Sequence, residues 1–235
     1  MSDRPYVVLS ACVSLDGHLD SPGPDRLVLS GAEDLDRVDA VRAGCDAVLV
    51  GAGTVRMDRP RLVVRDPGRR AARVARGVPE TPVKVTVTEG ADLDPDAPFF
   101  TTGGEKLVLC PSAVVGRARR RLGGRATVLD GGDRVSMEGV ARALDARGIT
   151  RLLVEGGRSV LTQCLVEGVA DELHLALAPV FVGAGTGPRF VGGGAFAWDA
   201  ARRARLVGVA AVGDVVVSRY ALSERCEEPE VGRVP

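Results

Sequence analysis

A chain of 235 residues with 45% apolar content can bury a sizeable core and lies at the upper end of what one domain spans. Its 31 basic and 31 acidic side chains cancel, which removes any overall field toward nucleic acid or an anionic membrane. The five cysteines (12, 45, 110, 164 and 226) form no Cys-x-x-Cys pair and the only histidines are His18 and His174, so a disulfide framework, a metal site and Ser-His-Asp hydrolysis are poorly supplied.

In chain order, the near-continuous apolar run from Tyr6 to Val13 predicts a central strand covered on both faces. No signal segment precedes it and no apolar run approaches roughly 18 residues, so a cytoplasmic protein without a membrane span is expected. Ser30-Gly31-Ala32-Glu33 has capping-box spacing, and Leu35, Val38 and Val41 recur at helical intervals, predicting a helix through Ala43. A short buried strand follows at Ala47 to Val50. Val83, Val85 and Val87 alternate with polar residues, as in a strand with one covered face. Between them Arg56 to Glu80 reads as a long irregular loop, solvated beyond Arg65.

Strands are then expected at Leu107 to Cys110, Ala126 to Leu129, Leu152 to Val154 and Leu173 to Ala178. Helices are expected near Val114 to Leu122, Ser136 to Arg147 and Gly157 to Glu167, the last two stopping at Gly148 and Gly168. Leu206 to Val212 and Val215 to Tyr220, joined through Gly213-Asp214, read as a hairpin. The order predicts an α/β fold: a mostly parallel central sheet flanked by helices, with an antiparallel C-terminal hairpin. One domain over residues 1–225 and a disordered tail at 226–235 are expected.

Three glycine clusters follow predicted strands, at Gly51 to Gly53, Gly156-Gly157 and Gly183 to Gly187, where open α/β sheets bind ligands. At Gly156-Gly157 a strand gives way to a helix, so free N–H groups and the positive helix end converge where a phosphate can sit. A tight βα turn alone would also account for the pair. No P-loop occurs, and Gly51-Ala52-Gly53-Thr54-Val55-Arg56 puts Arg56 where a dinucleotide fingerprint needs its third glycine.

Ser14-Leu15-Asp16-Gly17, Arg42, Asp46 through Val55, Asp58-Arg59-Pro60-Arg61-Leu62 and Arg65 form one block. Val154-Glu155-Gly156-Gly157, Leu161, Val169 through Leu173 and Ala178-Pro179 to Gly183 form a second. Together they resemble the reductase domain of the bifunctional riboflavin enzyme RibD and its stand-alone relatives, over about residues 5 to 220. The resemblance implies a dihydrofolate reductase-like fold, a homodimer formed through the C-terminal strands, and NADPH-dependent reduction of the sugar of a phosphorylated ribosylaminopyrimidine. It also implies cofactor contacts at Cys12, Thr54, Asp58, Thr88, Gly156, Gly157, Arg158, Ser159, Val160 and Leu161. Substrate contacts fall on Arg26, Arg42, Leu62, Arg65 and Glu155, with Asp58 and Glu155 in catalytic roles. Asp16 is left as a turn residue.

The sequence departs from that pattern at Arg26, where a small hydroxyl residue is expected, at Val28, where an aromatic often stands, and at Ser10, where bacterial RibD-type enzymes carry a lysine. Whether the pyrimidine is deaminated is left open by Ser10. Glu89 stands near a serine position, where a carboxylate would repel a cofactor 2′-phosphate. Arg56 to Glu80 carries eight arginines against three carboxylates, a local field for phosphate ligands, with no aromatic side chain for base stacking. The H-x-E and P-C-x-x-C zinc signature of a deaminase is absent, so reduction without deamination is expected. A reductase of the same fold acting on a dihydropterin or a specialised metabolite, and a non-catalytic nucleotide-binding protein, are the alternatives.

Overall fold

The computed structural model describes residues 4–23, 27–183, 185 and 187–226. Arg26 and most of the expected tail lie outside them, whereas Cys226 is buried. The chain divides into two compact units, Met1–Pro5 with Asp39–Leu153, and Tyr6–Val38 with Val154–Pro235.

The first unit is built on parallel strands β2 (Ala47–Gly51), β3 (Val83–Val87), β4 (Lys106–Cys110) and β5 (Thr127–Asp130), with β6 (Arg151–Val154) beside β2. The Asp46 carboxylate accepts Thr150 N, Thr150 Oγ1 and Arg151 N at 2.6–2.9 Å, which fixes where β6 starts relative to β2. Helices α2 (Ala52–Asp58), α3 (Pro67–Ala75), α4 (Pro98–Thr101), α5 (Ser112–Leu122) and α6 (Met137–Asp145) connect the strands, and α1 (Ala32–Ala43) ends in this unit. Ser136, where the sequence places the start of this helix, caps α6 by accepting the Gly139 N–H at 3.0 Å.

Two expectations are overturned here. The segment beyond Arg65 is not a solvated loop: Asp66 accepts the Arg69 N–H at 2.7 Å and starts α3, with Pro67 in its first turn. Arg73 of that helix is 2% exposed and donates to the carbonyls of Ala43, Cys45 and Pro79. Nor is β3 covered on one face only, since Lys84 and Thr86 are as buried as Val85 between them.

Lys84 Nζ donates to Phe99 O, Thr102 O and Thr102 Oγ1 at 2.7–3.2 Å, supplying the carbonyls at the end of α4. Burial, with repulsion from Lys106 and Arg42, pushes its pKa down to about 7. Between that value and the unfolded value near 10.4 the unfolded chain holds a proton that the folded chain has released. Stability therefore rises with pH across this window, by up to about 1.4 kcal/mol per pH unit. Relative to a Lys84→Met protein, the wild type should gain roughly 2 kcal/mol from pH 7 to pH 9 in urea unfolding. Parallel curves for the two proteins would mean that the three acceptors keep the ammonium charged.

The second unit carries β1 (Tyr6–Ser14) parallel to β7 (Glu172–Ala178), with β9 (Val215–Ala221) and β8 (Arg205–Val212) added antiparallel. Helix α7 (Arg158–Val166) and the start of α1 belong to it. The antiparallel β8–β9 hairpin at the end of a largely parallel sheet is as the sequence predicts. The start of α1 differs from the expected capping box: Leu35 N donates to Gly31 O, so Gly31 and not Ser30 takes the cap position.

One face of this sheet carries a buried polar cluster. Glu172 accepts from His174 Nε2 at 2.9 Å, from Arg219 Nε at 2.8 Å and from the Tyr6 hydroxyl at 3.1 Å. Burial opposes its ionisation, but His174 and Arg219 outweigh that and hold it at about 2. On β7, β8 and β9, Leu177, Leu206, Val209 and Val216 are instead exposed apolar residues.

Candidate active site

In the second unit β6 runs into half-buried Glu155, and Gly156 follows at φ +101°, a backbone conformation that disfavours any residue with a Cβ. A Cβ there would meet Leu161 Cδ1 at an ordinary 3.7 Å, so it is the dihedral and not crowding that calls for glycine. The Gly156–Gly157 peptide is cis. Gly157 is the N-cap of α7, no side chain caps the helix, and its first turn holds no acidic residue.

Arg158 and Ser159 are exposed while Val160 and Leu161 point into the core; Val160 can offer a ligand only its N–H group, and the Leu161 N–H already donates to Gly157 O at 3.1 Å. This is a helix start with uncapped donors, the positive end of the dipole and no carboxylate in its first turn, which suits an anionic diphosphate. A second glycine run, missed as a site element in the sequence, lies along the same helix. Gly192 N donates to Thr162 Oγ1 at 2.8 Å, and a Cβ on Gly194 would sit 2.5 Å from Val166 Cγ2, so only glycine lets this loop approach so closely.

Cys12 is half-buried and packs with Leu29 and Val212 on the cluster of Ala176, Ala178, Val215 and Val217. Burial pushes its thiol pKa up, against the Ser30 hydrogen bond. Asp16 has the turn-forming part expected of it. Its oxygens accept from Ser14 Oγ at 2.6 Å, Val182 N at 3.0 Å and Gly183 N at 2.8 Å, which ties the turn after β1 to the loop after β7. These donors hold its carboxyl well below the ordinary carboxylate range.

In the first unit Thr54 and Asp58 lie on α2, both half-buried, Asp58 being its last residue. Arg59 and Leu62 adopt left-handed backbone conformations, φ +45° and +47°, and bend the chain twice before Arg65. Leu62 is 5% exposed. Arg42, in the last turn of α1, donates to Val63 O at 2.8 Å. Arg65 bonds through its N–H to Asp39 at 2.6 Å, and its side chain remains 47% exposed.

Arg42, at the end of α1, is thus bonded to the segment that carries Leu62 and Arg65. A buried carboxylate, Asp39, accompanies them; its partners lie 26 or more residues away in sequence, and no local pattern marks it. Thr88 is buried and its Oγ1 accepts the Ala91 N–H at 3.1 Å, closing the turn after β3, where Glu89 is exposed.

The chain is 31% identical over 194 residues to the 2,5-diamino-6-ribosylamino-4(3H)-pyrimidinone 5′-phosphate reductase of Archaeoglobus fulgidus, covering 82% of this chain and 89% of that protein. Against the reductase of the same name from Methanothermobacter thermautotrophicus it is 34% identical over 187 residues, covering 77% and 80%. Its fold is similar to that of Acinetobacter baumannii RibD, with a TM-score of 0.76 at 21% identity, over 94% of this chain and 58% of that longer one. The profile of the RibD C-terminal domain matches residues 5–218. The chain belongs to the RibD C-terminal domain family.

Proposed function

We propose that this chain is an NADPH-dependent reductase that converts the ribosyl group of a phosphorylated diaminopyrimidine ribosylamine to ribityl. The observation that carries this reading is the start of α7: Gly156 at positive φ, an uncapped first turn and no acidic residue within it. The two reductases to which the chain is similar support the substrate class, and their names specify a pyrimidine that keeps its amino groups. Ser10, buried in β1, is compatible with that ring because no cation stands at its position.

Bound through its diphosphate at Gly157 to Leu161, a reduced nicotinamide supplies the hydride that the sugar C1′ receives. The protein residues do the rest. Arg42 and Arg65 hold the 5-phosphate through charge-assisted hydrogen bonds. Glu155 accepts a hydrogen bond from the pyrimidine, and Asp58 delivers a proton to the sugar ring oxygen as the ribosylamine opens to its imine. Thr54 on α2 and Thr88 directly after β3 offer hydroxyls to the cofactor.

A cytoplasmic setting is supported by five unpaired cysteines, four of them buried. A homodimer through the C-terminal strands is supported by the open apolar face at Leu177, Leu206, Val209 and Val216, which a second copy can cover.

The test is oxidation of NADPH by the purified protein in the presence of the phosphorylated diaminopyrimidine ribosylamine. Two charge-assisted contacts at about 1.5 kcal/mol each predict a kcat/KM roughly 100-fold lower for the dephosphorylated substrate. No oxidation with either compound would sink the proposal, and faster oxidation with a dihydropterin would replace it.

A further inference from the structure

Within the second unit, residues 187–194 of the connection between β7 and β8 form a strap with two anchors. The first anchor is the turn after β1. Leu19 N donates to Pro188 O at 2.7 Å and Phe190 N to Gly17 O at 3.2 Å, and Gly187 lies so close to the His18 ring that a Cβ on it would sit 2.8 Å from Cδ2. The second anchor is α7, reached two residues after Phe190.

At this second anchor the Thr162 hydroxyl sets the geometry. It donates its one hydrogen to Arg158 O at 2.6 Å, so toward the strap it can only accept, and it takes the Gly192 N–H at 2.8 Å. A threonine within a helix commonly turns its hydroxyl back to the carbonyl four residues earlier. Here the same oxygen also holds a second segment. Gly194 then runs against Val166, where only glycine fits, and Gly193 and Gly194 remain exposed on their outer side. Arg158 directly follows the Gly157 cap, so one hydroxyl joins the strap to the turn that starts α7.

We propose that residues 187–194 close beside the cofactor at the start of α7, and that Thr162 is the positioning residue that holds them there. The inference rests on the reading that the cofactor diphosphate binds at that helix start. A strap fixed before the cofactor arrives adds no ordering cost to binding; released at Thr162, it must be ordered by the cofactor itself, and affinity falls. Among the described residues the polar link between strap and α7 is the single Gly192–Thr162 hydrogen bond, so its removal frees that end while the anchor at the turn after β1 stays.

The experiment measures Kd for NADPH, KM for the phosphorylated pyrimidine, Tm and the rate of tryptic cleavage after the exposed Arg189 in the wild type, Thr162→Val and Thr162→Ser. Valine keeps the branched shape and removes the hydroxyl; serine keeps the hydroxyl. Thr162→Val should raise Kd for NADPH about five- to tenfold, the effect of one lost hydrogen bond, with KM for the pyrimidine changed by less than about twofold. Its Tm should stay within about 2 °C of the wild type, and Thr162→Ser should bind NADPH nearly as the wild type does. Saturating NADPH should slow cleavage after Arg189 in the wild type by roughly fivefold or more, and the cofactor-free Thr162→Val protein should be cut faster than the cofactor-free wild type.

Unaltered NADPH affinity in Thr162→Val, or wild-type cleavage that NADPH leaves unchanged, would overturn the proposal. Equal losses for both ligands together with a lower Tm would reduce Thr162 to a fold residue and overturn it as well. A wild type that binds no NADPH at all refutes the reductase reading beneath it, whereas failure of the strap alone leaves wild-type binding intact.

Discussion

The Asp58→Asn protein is expected to lose kcat by roughly 10²- to 10⁴-fold while its Kd for NADPH changes by less than about twofold. Asparagine keeps the shape and one acceptor of the carboxyl but has no proton to give. Opening of a ribosylamine ring leaves an alkoxide unless a proton reaches the ring oxygen, so the loss falls on the chemical step and not on binding. Asp58 is suitably placed for this part, half-buried at the end of α2 and followed at once by the left-handed Arg59, which turns the chain away. Turnover measured beside a cofactor titration separates the roles. Equal losses in both would leave Asp58 as a binding residue only.

At the start of α7, Ser159→Asp should move stability and binding in opposite directions. A carboxylate in the first turn favours the helix by about 0.3–1 kcal/mol, so Tm should hold or rise slightly. The same carboxylate competes for the N–H groups that the cofactor diphosphate needs and repels its charge. Loss of one or two hydrogen bonds to a charged group predicts cofactor affinity lower by about 100-fold. A fold defect would lower both quantities together. Unchanged affinity would place the diphosphate elsewhere and remove the main support for the proposed reductase.

What the sequence made legible was local. The bounds of β1, β2 and α7 follow from apolar runs and from a glycine at each helix end, Gly157 at its cap and Gly168 at φ +66° beyond it. The turn proposed to bind the diphosphate was visible for the same reason, because a strand, two glycines and a helix are consecutive. Polar residues with distant partners were misread. Arg73 and Lys84 looked like solvated charges, yet their heads satisfy carbonyls as far as 30 and 18 residues away. Helix α3 was hidden by this: its three arginines resemble a solvated loop until Arg73 is seen to close the end of α1. Asp39 was invisible because nothing near it in sequence needs a carboxylate.

The clamp formed by Asp39 at one end and Arg73 at the other bears on how a substrate is met. Arg65 and Asp66 are tethered through their backbone N–H groups to Asp39 of α1, and the helix that follows is pinned to the carbonyls at the end of α1. If the proposed sugar phosphate binds at this ledge, it meets a surface that is already stiff, so capture need not freeze a wandering loop, and the entropy lost in ordering it belongs to folding instead of to each catalytic cycle.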